Sequence, residues 1–264
     1  MLLVIPVVII HRGNHGYVRD VVAQAKKHAE QVVVLGDGQD FATDNVSDYY
    51  ETAREFEKVY EHLSTNGYDI ELMCFTRWMV LNEFMAKKGV EVCLHIDSDV
   101  LIYEDPEVMW LLYDQFEMTL SHRCCGSAAF FTYRGLDKFC NFVWKTYSRK
   151  DSYDYARLRG HFETRQRHGL PGGVCDMTLL EHYGYKYCGE VGEMMHITGN
   201  STWDHNINES DQGFLMDPAT NIKRVTIIKG KPVVDNEILG RPIRFNSLHF
   251  QGPAKQYLQR YLTP

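Results

Sequence analysis

The sequence lacks any apolar run long enough to cross a bilayer. The longest, MLLVIPVVII at the N-terminus, falls well short of the roughly 20 residues a spanning helix needs, and no basic stretch or cleavage signal accompanies it. No transmembrane segment is therefore expected, and the reading is a cytoplasmic protein or a soluble part of a larger one. Positive charge is also scarce: 28 Lys and Arg face 35 Asp and Glu, for a net charge of −7. With an isoelectric point near 5.9, binding of nucleic acid by bulk electrostatics is excluded. The seven cysteines are odd in number and without regular spacing, which argues against a disulfide framework. Cys124 and Cys125 adjoin His122, but no second pair follows at ligand spacing, so no structural zinc is expected there. Repeats, low-complexity tracts and linkers are absent too. The 264 residues read as one α/β domain with a full core.

What is present is a strand–helix–strand opening. LLVIPVVII is a near-continuous apolar run, as in a parallel strand covered on both faces, and RGNHGY breaks it with glycines and Asn14 as a candidate cap. YVRDVVAQAKKHAE spaces its apolar residues helically, and QVVVLGDG is a second buried strand. This is a βαβ unit with a right-handed crossover. Further on, helices are expected over YYETAREFEKVYEHL and IELMCFTRWMVLNEFMAKKG, the second stopped by Gly89. VEVCLHI is the next strand. Beyond 118 the pattern becomes α+β, with strands at EMTLSHR and SAAFFTY, helices at GLDKFCNFVWKTYS and VCDMTLLEHYGY, a hairpin at KRVTIIKGKPVV, and a closing helix in LHFQGPAKQYLQRYL. Residues 149–168 are locally basic and tyrosine-bearing, and read either as a solvated helix or loop or as a lid over phosphates.

The chemistry gathers around HIDSDVLI. Asp97 and Asp99, with Ser98 between them, stand at the carboxyl end of a buried strand, where open α/β sheets bind ligands. Two carboxylates so close repel and raise each other's pKa unless something compensates. A divalent cation with oxygen ligation, Mg²⁺ or Mn²⁺, removes that penalty. SLHFQGPAK near the C-terminus offers a third ligand, His249, whose imidazole favours Mn²⁺. Gly252 lets backbone approach a phosphate and Lys255 adds positive charge.

These features resemble metal-dependent nucleotide-sugar glycosyltransferases of the GT-A fold, specifically the glycogenin-like and lipopolysaccharide-galactosyltransferase-like group. The resemblance rests on the first strand and helix, the D-x-D at 97–99, and the His-x-x-Gly-x-x-Lys at 249–255. It implies a mixed, mostly parallel sheet flanked by helices, with a nucleotide-binding half at 1–117 and an acceptor-side half at 118–264. It also implies transfer of a hexosyl or pentosyl unit from a nucleoside diphosphate sugar, by preference a UDP-sugar, to a hydroxyl of a glycan or glycoconjugate acceptor. Asp97, Asp99 and His249 would hold the metal, and Asp97 would also touch the ribose. Arg77, on the helix before the acid pair, matches an arginine of that group. His11, Arg12 and Asp37 are placed for the nucleoside, although Asp37 reads equally as a plain turn aspartate. Asp176 is the candidate base or orienting group, with a helix N-cap as its alternative. TWDHNIN (202–208) offers Trp203 as an aromatic platform, or as ordinary packing, and Asp204 as a second candidate base. The chain departs from the group where an Asn-Ser-Gly gives way to CGSAAFF and an Asp-Gln-Asp to VCDMTLL. Two rival readings are a sugar nucleotidylyltransferase and a non-catalytic carbohydrate-binding module.

Overall fold

The computed structural model describes residues 4–264; the part of the expected first strand at 1–3 lies outside the described residues. In chain order, β1 (Val7–Ile10), α1 (Tyr17–Ala25) and β2 (Val32–Gly36) form the expected βαβ unit. A short β3 (Asp44–Asn45) and a 3₁₀ turn (Val46–Tyr49) lead to α2 (Glu51–Glu57) and α3 (Tyr68–Lys88). Then come β4 (Val92–Ile96), β5 (Val100–Ile102), α4 (Pro106–Trp110), β6 (Met118–Leu120), β7 (Ala128–Thr132), α5 (Tyr133–Ser148), α6 (Tyr153–Arg167), α7 (Asp176–Lys186) and β8 (Val191–Glu193). The remainder is β9 (Ser201–Thr202), β10 (Met216–Asp217), β11 (Ile222–Lys223), β12 (Thr226–Ile228), β13 (Lys231–Asn236), β14 (Arg241–Phe245), β15 (Ser247–His249) and a closing 3₁₀ helix (Gly252–Tyr261).

The main sheet has the order β3-β2-β1-β4-β7-β6-β8. Four of its six pairings are parallel, and β7 runs antiparallel to both neighbours. It is a mixed, mostly parallel sheet with helices on it. Because side chains alternate along a strand, Val7 and Ile9 enter one core with α1, β5 and β14. Val8 and Leu35 enter the other, under α2, α3, α5 and α7. Burial on both faces is what makes these strands read as unbroken apolar runs. A second sheet, β12-β13-β14-β9, stands apart. Its β12–β13 hairpin turns through Lys229 and Gly230, both at positive φ, as a two-residue hairpin loop requires.

Several local expectations change. Asn14 does not cap α1, whose N-cap is Gly16 without a side-chain bond. The helix expected over 49–63 is the shorter α2. The closing helix is 3₁₀ rather than α. In α3, by contrast, Gly89 caps the helix in the left-handed region at φ 67°, as its position predicts.

Candidate functional site

The acid pair occupies a tight turn. The Val100 N–H donates to the Asp97 carbonyl at 3.0 Å, so Asp97-Ser98-Asp99-Val100 closes as a β-turn, for which aspartate and serine are suited. The turn takes the chain out of the main sheet: β4 ends at Ile96, and β5 pairs antiparallel with β15 instead. The register sets Val100 opposite His249, and the Phe250 N–H donates to the Asp99 carbonyl at 2.9 Å. A strand pairing across some 150 residues of sequence thus delivers the C-terminal imidazole to the acid pair.

The ligand atoms of Asp97, Asp99 and His249 all lie within 4.8 Å of one another. His249 Nε2 is 3.5 Å from Asp99 Oδ1, and Lys255 Nζ is 2.6 Å from Asp99 Oδ2. On the other side, one nitrogen of the Arg77 guanidinium donates to Asp97 Oδ1 at 2.6 Å, and another donates to Asp176 Oδ2 at 2.7 Å. The Trp78 indole N–H also donates to Asp176 Oδ2, at 2.9 Å. Burial works against the Arg77 charge, but Asp97 and Asp176 hold it above its ordinary pKa. Burial likewise opposes ionisation of Asp97, yet Arg77 and then His95 keep that carboxyl well below the usual carboxylate range. For His249, burial pushes down while Asp99 and Asp97 push up, and the result is about 9.

Three cationic groups therefore surround two carboxylates. This is the compensation the sequence demanded, supplied by the protein's own side chains. A set of two carboxylates and one imidazole suits Mn²⁺ or Mg²⁺. Ligands about 2.1 Å from such a cation are separated by roughly 3–4 Å, and the 3.5 Å between His249 Nε2 and Asp99 Oδ1 lies in that range. Lys255 and the His249 proton occupy the cation's electrostatic place; Lys255, a long chain with 32% of its side chain exposed, can swing away, and a bound cation would displace the proton from the ring. The residues fit the ion.

The turn forms one wall of a cavity of about 320 Å³, at the small end of sites that take organic ligands, about 300–1,000 Å³. Its lining divides chemically. Ile10, Val46, Met73 and Val80, with Tyr17 and Tyr50, are apolar or aromatic, while Arg77, Asp97, Ser98, Asp99 and Lys255 are charged or polar. His11 and Arg12 line it as well. His11 Nδ1 is 2.9 Å from Ser98 Oγ, tying the end of β1 to the acid turn, and Nε2 meets His15 Nδ1 at 3.0 Å. Burial and then His15 lower the His11 pKa, so its ring is neutral at pH 7. Arg12 lies 5.1 Å over the Tyr50 ring.

Other expected residues stand elsewhere. Asp37 is exposed, outside the cavity lining, and accepts from the Gly13 N–H at 3.3 Å. Gly252 is at φ 57° and exposed at the start of the 3₁₀ helix, also outside the lining. Asp176 is not the N-cap of α7; Cys175 is. Asp176 is 3% exposed and touches the cavity only through Arg77. Asp204 is not brought to the cavity. Its carboxylate is buried, accepting from Lys223 Nζ at 2.9 Å on one oxygen and from the His249 N–H at 3.0 Å on the other. That arrangement makes Asp204 a support for the strand carrying His249 rather than a base. Trp203 is no platform: it is 1% exposed in the core, edge-on to Phe130 at 6.0 Å. No residue of 149–168 lines the cavity. That segment is α6, capped by Ser152 and anchored by buried Tyr155 and Leu158.

His95 and Trp78 were not anticipated. His95 shares a face of its strand with Asp97 two residues on. Its Nδ1–H donates to the Val8 carbonyl at 3.1 Å, and its Nε2 is 3.4 Å from Asp97 Oδ1. The i, i+2 spacing in H-I-D was the available signal. Trp78 is wedged against Gly126, where an added Cβ would lie 2.6 Å from the indole. Gly126→Ala should therefore displace Trp78 and destabilise the fold by about 1–3 kcal/mol, as overpacking does. Urea denaturation measures this, and an unchanged midpoint would show that the indole does not need that space.

No family profile matches the sequence, and no curated protein is matched by it. Among solved structures, the chain is similar to mouse xyloside xylosyltransferase 1 in its apo form, at 7% identity over 75% of this chain and 87% of that one, with a TM-score of 0.45. It is similar also to the apo WbbM bifunctional glycosyltransferase, at 10% identity over 79% of this chain and 41% of that one, with a TM-score of 0.42. The glycosyltransferase GlyE of Streptococcus pneumoniae TIGR4 gives 12% identity, 72% and 45% coverage, and 0.38. The chain spans less than half the length of the last two.

Proposed function

We propose that this protein is a metal-dependent glycosyltransferase that moves a glycosyl unit from a nucleoside diphosphate sugar, a UDP-sugar by preference, to a hydroxyl of a glycan or glycoconjugate. The observation that carries this reading is the convergence of Asp97, Asp99 and His249 at a half-apolar cavity lined by both acids, Arg77 and Lys255, with His249 beside Asp99 just outside the lining. The apolar and tyrosine-bearing walls suit a base and ribose, and the charged walls suit a diphosphate.

In the transfer, the bond between the anomeric carbon and the diphosphate oxygen breaks, and the acceptor hydroxyl bonds to that carbon and passes its proton to the departing diphosphate. A bound Mn²⁺ or Mg²⁺ supplies Lewis-acid neutralisation of the diphosphate. Asp97, Asp99 and His249 would hold that ion. Lys255, released from Asp99, would meet the negative charge that grows on the departing phosphate. Arg77 fixes the Asp97 carboxylate and transmits the position of Asp176, which acts as an orienting group and not as a base. Asp204 keeps His249 in register.

A direct test incubates the protein with Mn²⁺ and a panel of UDP- and GDP-sugars without acceptor. Slow release of free nucleoside diphosphate is expected from one of them, suppressed by EDTA. Release of pyrophosphate from a nucleoside triphosphate and a sugar 1-phosphate would instead identify a nucleotidylyltransferase, and neither reaction would leave a binding module.

A further inference from the structure

A second group of metal-ligating side chains lies outside the cavity. The ligand atoms of His122, His205 and Glu209 are all within 4.8 Å of one another. His205 Nε2 is 3.5 Å from Glu209 Oε2, and the two imidazoles stand edge to face at 4.7 Å. Asp211 Oδ2 is 4.0 Å from His122 Nε2, close enough to serve as a fourth ligand.

Two features argue that the rings are held for a ligand rather than meeting by chance. The first is His205 itself: its side chain is 12% exposed, and its Nδ1 is buried with no hydrogen-bond partner. Nε2, the nitrogen that faces Glu209, is the one an ion among the three side chains would meet, and it would give this nearly buried ring the polar partner it has little of. The backbone fixes that ring, because the His205 carbonyl accepts from His249 Nδ1 at 2.5 Å and the Ile207 N–H donates to the His249 carbonyl at 2.9 Å. The second is the turn carrying His122. His122 and Arg123 both adopt positive φ, at 52° and 58°, inside a loop closed by paired Ser121 and Cys125 backbone bonds. Left-handed backbone at two successive non-glycine residues is costly, and such strain concentrates where a side chain must be aimed.

We propose that His122, His205 and Glu209 form a second metal site of the imidazole-rich kind that takes Zn²⁺, clamping the turn after β6 to the 204–211 segment. Two imidazoles and one carboxylate are borderline-soft donors suited to Zn²⁺ or Co²⁺, whereas two carboxylates and one imidazole suit harder Mn²⁺. The two sites therefore differ in preference as well as in place. The clamp lies one hydrogen bond from His249, so an ion there would stiffen the support of the other site without entering it. The inference does not depend on the transferase reading, because it concerns ion binding alone.

The test is Co²⁺ titration of the metal-stripped protein, followed by visible absorption and equilibrium dialysis. The wild type should bind two equivalents. His122→Ala and Glu209→Gln change half-exposed side chains, and each should lower the affinity of one equivalent at least tenfold and remove the more intense absorption of a low-coordinate imidazole site. Asp99→Asn should remove the other equivalent and leave that absorption intact. Retention of both equivalents at unchanged affinity in His122→Ala and Glu209→Gln would overturn the second site. Loss in those variants with no effect of Asp99→Asn would support it while counting against the acid pair as a metal site, so the two readings fail separately.

Discussion

Asp99→Asn will lower metal-dependent release of nucleoside diphosphate about a hundredfold to a thousandfold, the usual loss when one electrostatic stabiliser of a transition state is removed. Asp99 is 7% exposed and meets both His249 and Lys255. Asparagine keeps its size and one accepting oxygen but cannot attract a cation as strongly. The fold should survive, because Lys255 can turn to solvent and the asparagine oxygen can still accept from the His249 ring. Kinetics over a Mn²⁺ series, with circular dichroism to confirm folding, provides the check. A variant that turns over fully at ordinary Mn²⁺ concentrations would remove Asp99 from the metal site.

The second large effect is on stability. Among the described residues Arg77 is the charged group that joins Asp97 to Asp176: its side chain is 18% exposed, against 27% and 4% for the two acids. Arg77→Ala takes the shared cation from the cavity-facing Asp97 and the buried Asp176; breaking a fully buried pair costs about 3–5 kcal/mol, and about 2–3 kcal/mol is expected here because Asp97 is partly exposed. Asp176→Asn in the Arg77→Ala background should recover part of the loss, since the Trp78 N–H can still donate to an amide oxygen. Urea unfolding of the two single variants and the double variant gives the coupling energy. A loss below about 1 kcal/mol in Arg77→Ala would mean that solvent reaches these acids freely.

How much of this was legible in the sequence depended on how far each contact reaches along the chain. The βαβ opening, α3 with its Gly89 stop, and the acid pair at the end of β4 were all readable, because apolar runs and caps are local. The grouping of Asp97, Asp99 and His249 was expected from residue types and a resemblance. What places them together, the departure of β5 from the main sheet to pair with β15, leaves no local trace. The 202–208 stretch stayed open between a sugar site and ordinary packing for the same reason. Trp, Asp, His and Asn in an irregular loop resemble a sugar site, but Asp204 finds Lys223 and Trp203 finds Phe130 through tertiary contacts. A buried aspartate with a buried lysine cannot be told from an exposed one by spacing alone. The basic segment 149–168 was open between helix and lid, and two buried residues, Tyr155 and Leu158, suffice to dock it as α6 away from the cavity.

The most direct measurement is the anomalous difference map of a crystal grown with Mn²⁺ and UDP. The account predicts a peak within about 2.2 Å of oxygens of Asp97 and Asp99 and of the His249 ring nitrogen, as Mn²⁺ ligation by oxygen and imidazole requires, with phosphate oxygens on its far side and Lys255 drawn from Asp99 toward them. A map with nucleotide in the cavity, no cation at the acid turn, and Lys255 still bonded to Asp99 would contradict it.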